Sequence, residues 1–222
     1  MIDLAVWNLS VPVGSPPKTV ESAQLKKGYK DKYFNSASGT LFFWAPVTGA
    51  TTQNAKYPRT ELRETFTDGS LRNWTYPEAD NSLSATLLVS KVPSSGKIVI
   101  GQIHAYNSTK PMLKVEYQYS DSSRSGAIVA KLRKSPGSSE GTVITIARNV
   151  PLNTKFNYVI HLSKSGALGI SARDQNMSTK VGSGWKTKPL YFKAGAYTQD
   201  NTGYTSEGGK VTFYALKARH AG

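Results

Sequence analysis

Cysteine is absent from all 222 residues. That removes disulfides, thiolate nucleophiles and cysteine-held zinc from consideration. Histidine is nearly absent. His104, His161 and His220 are far apart in the chain and offer no zinc-ligand spacing. Acidic residues are scarce, 14 Asp and Glu against 28 Lys and Arg, and no acidic calcium loop or phosphate-binding Gly-rich loop occurs. No serine-hydrolase elbow is expected either. Apolar runs such as Leu41–Trp44 fall far short of the ~20 residues of a membrane helix. The start, Met1-Ile2-Asp3-Leu4, lacks the basic stretch and apolar core of a signal peptide. Helical periodicity is nearly missing, and no linker, repeat or low-complexity tail interrupts the chain. Residues 1–222 therefore read as one domain, needing no metal, no organic cofactor and no second subunit.

The chain does carry a formal net charge of +14. Such an excess concerns partners rather than fold, and it favours a polyanion: nucleic acid, an anionic membrane surface or an acidic glycan. Lys and Arg are scattered and no RNA-binding or helix-turn-helix signature appears, which argues against nucleic acid. Short runs rich in β-branched and aromatic residues alternate with Gly, Pro, Ser and Asn clusters, the all-β pattern. Strands are expected at Thr40–Ala45, Arg59–Phe66, Ser82–Val92, Val99–Ala105, Met112–Tyr119, Ile128–Arg133, Val143–Ile146, Asn157–Ser163, Leu168–Arg173, Leu190–Gln199 and Lys210–Arg219. That many strands suggest two packed sheets, a jelly-roll-like β-sandwich. One short helix is expected within Thr19–Lys32.

Three strands carry the chemistry. Residues two apart on a strand point the same way. Arg59, Glu61 and Arg63 then share one face and Thr60, Leu62 and Glu64 the other. Gln102, His104 and Tyr106 share a face, with Ile103 turned to the core. Tyr191, Lys193, Gly195, Tyr197 and Gln199 share a third, with Phe192, Ala194 and Ala196 opposite. Gly195 in mid-strand marks a close approach by a ligand or a neighbouring backbone. The Arg59–Arg63 face alone reads better as a solvated charged strand, and each of the other two reads equally well as a solvated amphipathic strand. Together they hold Arg, Gln, His, Lys and Tyr, a set suited to binding anions and moving protons, without the carboxylate pair of glycoside hydrolysis. His161 reads as a surface residue of an outer sheet, His220 as part of a C-terminal tail, and the four tryptophans as core.

The segments Arg59-Thr60-Glu61-Leu62-Arg63, Gln102-Ile103-His104 and Tyr191-Phe192-Lys193-Ala194-Gly195-Ala196-Tyr197-Thr198-Gln199 resemble, in order, three signatures of the polysaccharide lyase family 7 alginate lyases: R-(S/T)-E-L-R, Q-(I/V)-H and Y-F-K-A-G-x-Y-x-Q. Phe42–Gly49 and Trp7 add to the likeness, which covers nearly the whole chain. The resemblance implies a jelly roll whose concave sheet forms a substrate cleft, and cleavage of a polyuronate by β-elimination. It assigns Arg59 and Gln102 to the substrate carboxylate and His104 and Tyr197 to proton transfer. Glu61, Arg63 and Lys193 are implied to hold the others and bind sugar, with Tyr106, Tyr191 and Gln199 beside them. Ile103 hints at guluronate-containing blocks. The substrate suggests an extracellular or periplasmic setting. A lyase for another polyuronate such as glucuronan, and a non-catalytic glycan-binding sandwich, remain open at this point.

Overall fold

A computed structural model describes residues 1–222. Fifteen strands run in chain order: β1 Trp7–Ser10, β2 Thr19–Val20, β3 Phe34–Asn35, β4 Leu41–Pro46, β5 Arg59–Glu64, β6 Asp80–Lys91, β7 Lys97–Ala105, β8 Leu113–Ser120, β9 Ser125–Leu132, β10 Thr142–Val150, β11 Phe156–Leu162, β12 Ala167–Ala172, β13 Gln175–Lys180, β14 Leu190–Thr198 and β15 Gly208–Ala221. They form an eight-stranded sheet, β10-β9-β8-β7-β14-β5-β1-β2, and a seven-stranded sheet, β13-β12-β11-β6-β15-β4-β3. All pairings are antiparallel. This is the expected all-β jelly-roll sandwich.

Alternation explains why these segments stack. On β6, Leu83, Ala85, Leu87 and Val89 are buried while the residues between them are partly exposed. One continuous cluster of 46 buried residues fills the space between the sheets, with Trp7, Trp185, Phe43, Phe192 and Tyr158 among its largest members. Burying such side chains is the main favourable term in folding, roughly 25 cal/mol per Å² of apolar surface. Three tryptophans lie in this core. Trp44 does not: it is half-buried on the outward face of β4, with Lys210 Nζ 5.2 Å from its ring centre.

The short helix falls within Thr19–Lys32, as expected: Thr19–Val20 pairs with β1, and the helix α1 covers Ser22–Lys26. Glu21 and Gln24 cap its start reciprocally, and Gly28, at φ +91°, ends it in the left-handed region that glycine enters without steric penalty. Strands β1, β2, β3 and β13 escaped expectation. Three are only two to four residues long, and β13 (Gln-Asn-Met-Ser-Thr-Lys) is a polar edge strand with no buried residue.

The eight-stranded sheet places β5, β14 and β7 side by side near its middle. Gly195 lets β14 press on β5. At φ +153°, a Cβ there would lie 2.6 Å from the Thr60 carbonyl oxygen and 2.8 Å from the Glu61 Cα. Beside it the register with β7 slips between Ala194 and Tyr197. This bulge inserts one extra residue into β14, a device that re-aims a side chain. The sheet register also aligns one residue from each of six strands: Asn8, Arg63, Lys193, Gln102, Lys114 and Lys131. This row runs across the sheet on the face away from the core.

Candidate active site

The outer face of the eight-stranded sheet holds a cleft of about 460 Å³, lined by Arg59, Glu61, Arg63, Gln102, His104, Tyr191, Lys193 and Tyr197 among others. Its hub is the carboxylate of Glu61, which is fully buried. Oε1 accepts from Arg59 Nη1 at 3.0 Å and pairs with Lys193 Nζ at 2.9 Å. Oε2 accepts from Gln102 Nε2 at 2.8 Å. One carboxylate thus ties together three adjacent strands. Burial alone would raise the Glu61 pKa, but Lys193 and Arg59, with hydrogen bonds from Lys193 and Gln102, hold it below the usual carboxylate range. Lys193 is pulled down to about 8, by burial first and then by Arg59, with Glu61 opposing. Two cations face one anion, and the Nε–H of Arg59 is buried with no acceptor. A buried donor without a partner is costly, so this corner is primed for an anion.

Replacing Glu61 with Ala leaves Arg59 and Lys193 buried together without a counter-charge. Breaking a buried pair this way typically costs about 3–5 kcal/mol. That loss is expected in the denaturant midpoint of Glu61→Ala, and an unchanged midpoint would show that the network is solvated instead.

His104 is half-buried beside the same cations. Its pKa is pushed down to about 3, chiefly by burial and then by Lys193, while a hydrogen bond to the Ala105 carbonyl works the other way. The imidazole is therefore neutral at ordinary pH. Nδ1 lies 3.0 Å from the Ala105 oxygen, which can only accept. The proton therefore sits on Nδ1, and the lone pair is on Nε2. Tyr191 stacks on the ring at 5.4 Å with its hydroxyl 3.3 Å from Nδ1.

Each cleft tyrosine carries an arginine on its face. Arg59 lies 3.9 Å from the centre of the Tyr197 ring, and Arg63 lies 3.6 Å from that of Tyr191. A neighbouring cation alone would lower a tyrosine pKa. Burial outweighs it here: Tyr197 is raised despite Arg59, and Tyr191 is raised despite Arg63. Both hydroxyls stay protonated. Arg63 gives Nη1 to the carbonyls of Glu64 and Arg72, at 2.8 and 3.0 Å, and Nη2 to Asn73 Oδ1 at 2.6 Å. It acts as a fixed platform for Tyr191.

Two residues expected in this group stand apart from the cleft lining. Tyr106 lies beyond the end of β7 and is exposed. Gln199 follows β14, and its Nε2 donates to the Tyr197 carbonyl at 3.2 Å. His161 is exposed on the outward face of β11, as expected. His220 is not in a loose tail. It sits on β15 between the sheets, 2.8 Å from Asn81 Oδ1 and 2.5 Å from Glu64 Oε2. Glu64 Oε1 also accepts from Trp74 Nε1 and the Phe192 amide, at 2.8 and 3.1 Å. This places a second buried polar cluster directly behind β5 and β14.

The cleft also takes in residues that single-strand reasoning passed over: Asn8, Ser10, Lys114, Arg133, Glu140 and the segment 52–55. Lys114 joins the cleft because the register sets it opposite Gln102, a pairing that no single strand reveals. Gly137-Ser138-Ser139-Glu140-Gly141 does spell a Gly-x-Ser-x-Gly string. It joins the antiparallel strands β9 and β10, whereas a nucleophile elbow joins a strand to a helix.

Comparisons with known proteins agree on one group. A family described as alginate lyase matches residues 2–220. A crystal structure of an alginate lyase from Pseudomonas aeruginosa is similar at 40% identity, with a TM-score of 0.93 over 98% of this chain and 99% of that one. The alginate lyase A1-II′, a member of polysaccharide lyase family 7, is similar at 30% identity with a TM-score of 0.86, over 99% of this chain and 96% of that one. Variants of A1-II′ have been crystallised with a product, GGG, and with a substrate, GGMG. An alginate lyase of Klebsiella pneumoniae is 29% identical, over 98% of this chain and 89% of that protein.

Proposed function

The chain belongs to the polysaccharide lyase family 7 alginate lyases, and from that premise we propose that residues 1–222 form one catalytic domain cleaving alginate internally by β-elimination. The observation that carries the residue roles is the convergence of a buried, unpartnered Arg59 Nε–H, Gln102, a neutral His104 and a protonated Tyr197 around the Glu61 hub.

Alginate is a chain of uronates. Elimination removes the proton at C5, breaks the C4–O4 bond, leaves a C4–C5 double bond and returns a proton to O4. The C5 proton becomes removable only when charge moving onto the carboxylate is stabilised. Arg59 supplies a donor for that oxygen pair, and Gln102 has one N–H left after its bond to Glu61. Glu61 keeps both in place. Lys193 adds positive charge from the strand between them. Tyr197, held protonated by burial, delivers the proton to O4.

The base depends on the sugar. Mannuronate and guluronate are epimers at C5, so the C5 proton and O4 lie on the same side in one and on opposite sides in the other. For mannuronate, Tyr197 serves from one side as both base and acid once its own proton has passed to solvent: the phenolate, beside the Arg59 guanidinium, takes the C5 proton and returns it to O4. For guluronate, His104 Nε2 takes the proton from the opposite side. A similar lyase was captured with substrate after replacement of one His and one Tyr, the two residue types given proton transfer here.

Incubation with polymeric alginate tests the proposal. Unsaturated uronate absorbance is expected to rise while solution viscosity collapses early, because internal cuts shorten chains before many ends form. Absorbance rising with viscosity falling only in proportion would mean cleavage from chain ends. No new absorbance would remove the lyase reading altogether.

A further inference from the structure

The cleft does not end at Gln102. One strand further, about 4.8 Å across the sheet, β8 sets Lys114 opposite Gln102, and β9 sets Lys131 opposite Lys114. Lys131 is engaged: its Nζ is 2.9 Å from the fully buried carboxylate of Glu116. Lys114 and Arg133 converge on a different anion. Lys114 Nζ is 2.8 Å from Glu140 Oε1, and Arg133 Nη2 is 3.6 Å from Glu140 Oε2. Two cations on the two oxygens of one carboxylate is the arrangement a uronate carboxylate would need. All three residues line the same cleft as the catalytic group.

The two sides of this cluster are not equally fixed. Lys114 is carried in mid-sheet by β8. Arg133 is nearly buried, and its guanidinium is anchored apart from Glu140: Nε donates to the Pro111 carbonyl at 3.2 Å and Nη1 to that of Ser138. Glu140 sits on the connection between β9 and β10, and its carboxylate contacts only these two cations. The cations are preorganised, and the carboxylate is the part able to leave.

We propose that Lys114 and Arg133 form a distal uronate-carboxylate subsite, held in the substrate-free protein by Glu140 as an internal stand-in. This rests on the alginate-lyase reading and extends it along the chain of the substrate. A polymer long enough to reach β8 exchanges its own carboxylate for that of Glu140. The exchange replaces one ion pair with another, so the subsite favours long chains weakly while Glu140 competes, and strongly once that charge is gone.

The test is kcat/KM and KM on a length series of alginate oligomers for wild type, Glu140→Gln, Lys114→Ala and the double variant, with thermal melts to verify folding. Glu140→Gln is expected to lower KM several-fold, by a ratio that grows with oligomer length. Lys114→Ala is expected to raise KM most for the long oligomers and to abolish the gain from Glu140→Gln in the double variant. A gain equal at all lengths, no gain, or a rise in KM for Glu140→Gln overturns the proposal and leaves Glu140 as a brace for its loop. If Glu140→Gln does not fold, Lys114→Ala decides alone: a length dependence matching wild type overturns the proposal. A wild type that forms no unsaturated ends would sink the lyase reading instead, so the two failures are distinct.

Discussion

Tyr197→Phe folds and loses most of its turnover. The stack under Arg59, 3.9 Å from the ring centre, is a property of the ring and survives in Phe. What disappears is the hydroxyl proposed to protonate O4. General acid–base groups contribute ~10²–10⁴-fold, and the loss is expected in kcat, with KM changed far less, because the carboxylate contacts through Arg59 and Gln102 remain. The raised pKa of Tyr197 sharpens the expectation. Burial keeps the Tyr197 proton in place for transfer, and Tyr191, the other cleft tyrosine on β14, has its hydroxyl against His104 instead. Steady-state kinetics on polymeric alginate, with a thermal melt to confirm the fold, measures this directly. Near-normal kcat would take Tyr197 out of the mechanism.

Much of this architecture is written in strand alternation. Period-two patterning located the long strands and sorted Arg59, Glu61 and Arg63 from Thr60, Leu62 and Glu64. What alternation alone does not encode is which strands become neighbours. The junction of β5, β14 and β7 is a pairing between segments far apart in the chain. It follows from register, a tertiary property. For that reason the resemblance implies that Glu61 holds its neighbours without showing how, while the fold makes it the hub of three strands. The same gap hid Lys114, which resembles any exposed lysine until Gln102 is set beside it, and Glu140, whose loop has no periodic signal.

The charge of the neighbouring Arg59 alone would draw down the Tyr197 pKa, but desolvation outweighs the guanidinium at 3.9 Å. Burial likewise separates His220 from the tail its position suggested, because the last strand runs on to Ala221 and tucks His220 between the sheets.

The second large effect concerns His104. Its pKa near 3 in the free protein makes it neutral, yet a weak base. Burial is the main cause of that shift, and Lys193 and Arg59, the groups proposed to meet the substrate, add to it. A uronate carboxylate arriving there offsets their charge and relieves that smaller part, making His104 a better base. With the Nδ1 proton held by the Ala105 carbonyl, Nε2 is free to accept the C5 proton of guluronate from the face opposite O4. For mannuronate the proton lies on the Tyr197 side, and His104 is needed less.

The decisive measurement is kcat/KM for wild type and His104→Ala on separated guluronate and mannuronate blocks, each ratio converted to a transition-state free energy. A loss of ~10²–10⁴-fold is expected on guluronate, with a clearly smaller loss on mannuronate. Equal losses would make His104 a shared carboxylate-binding group rather than the guluronate base, and a larger loss on mannuronate would reverse the division of labour between His104 and Tyr197.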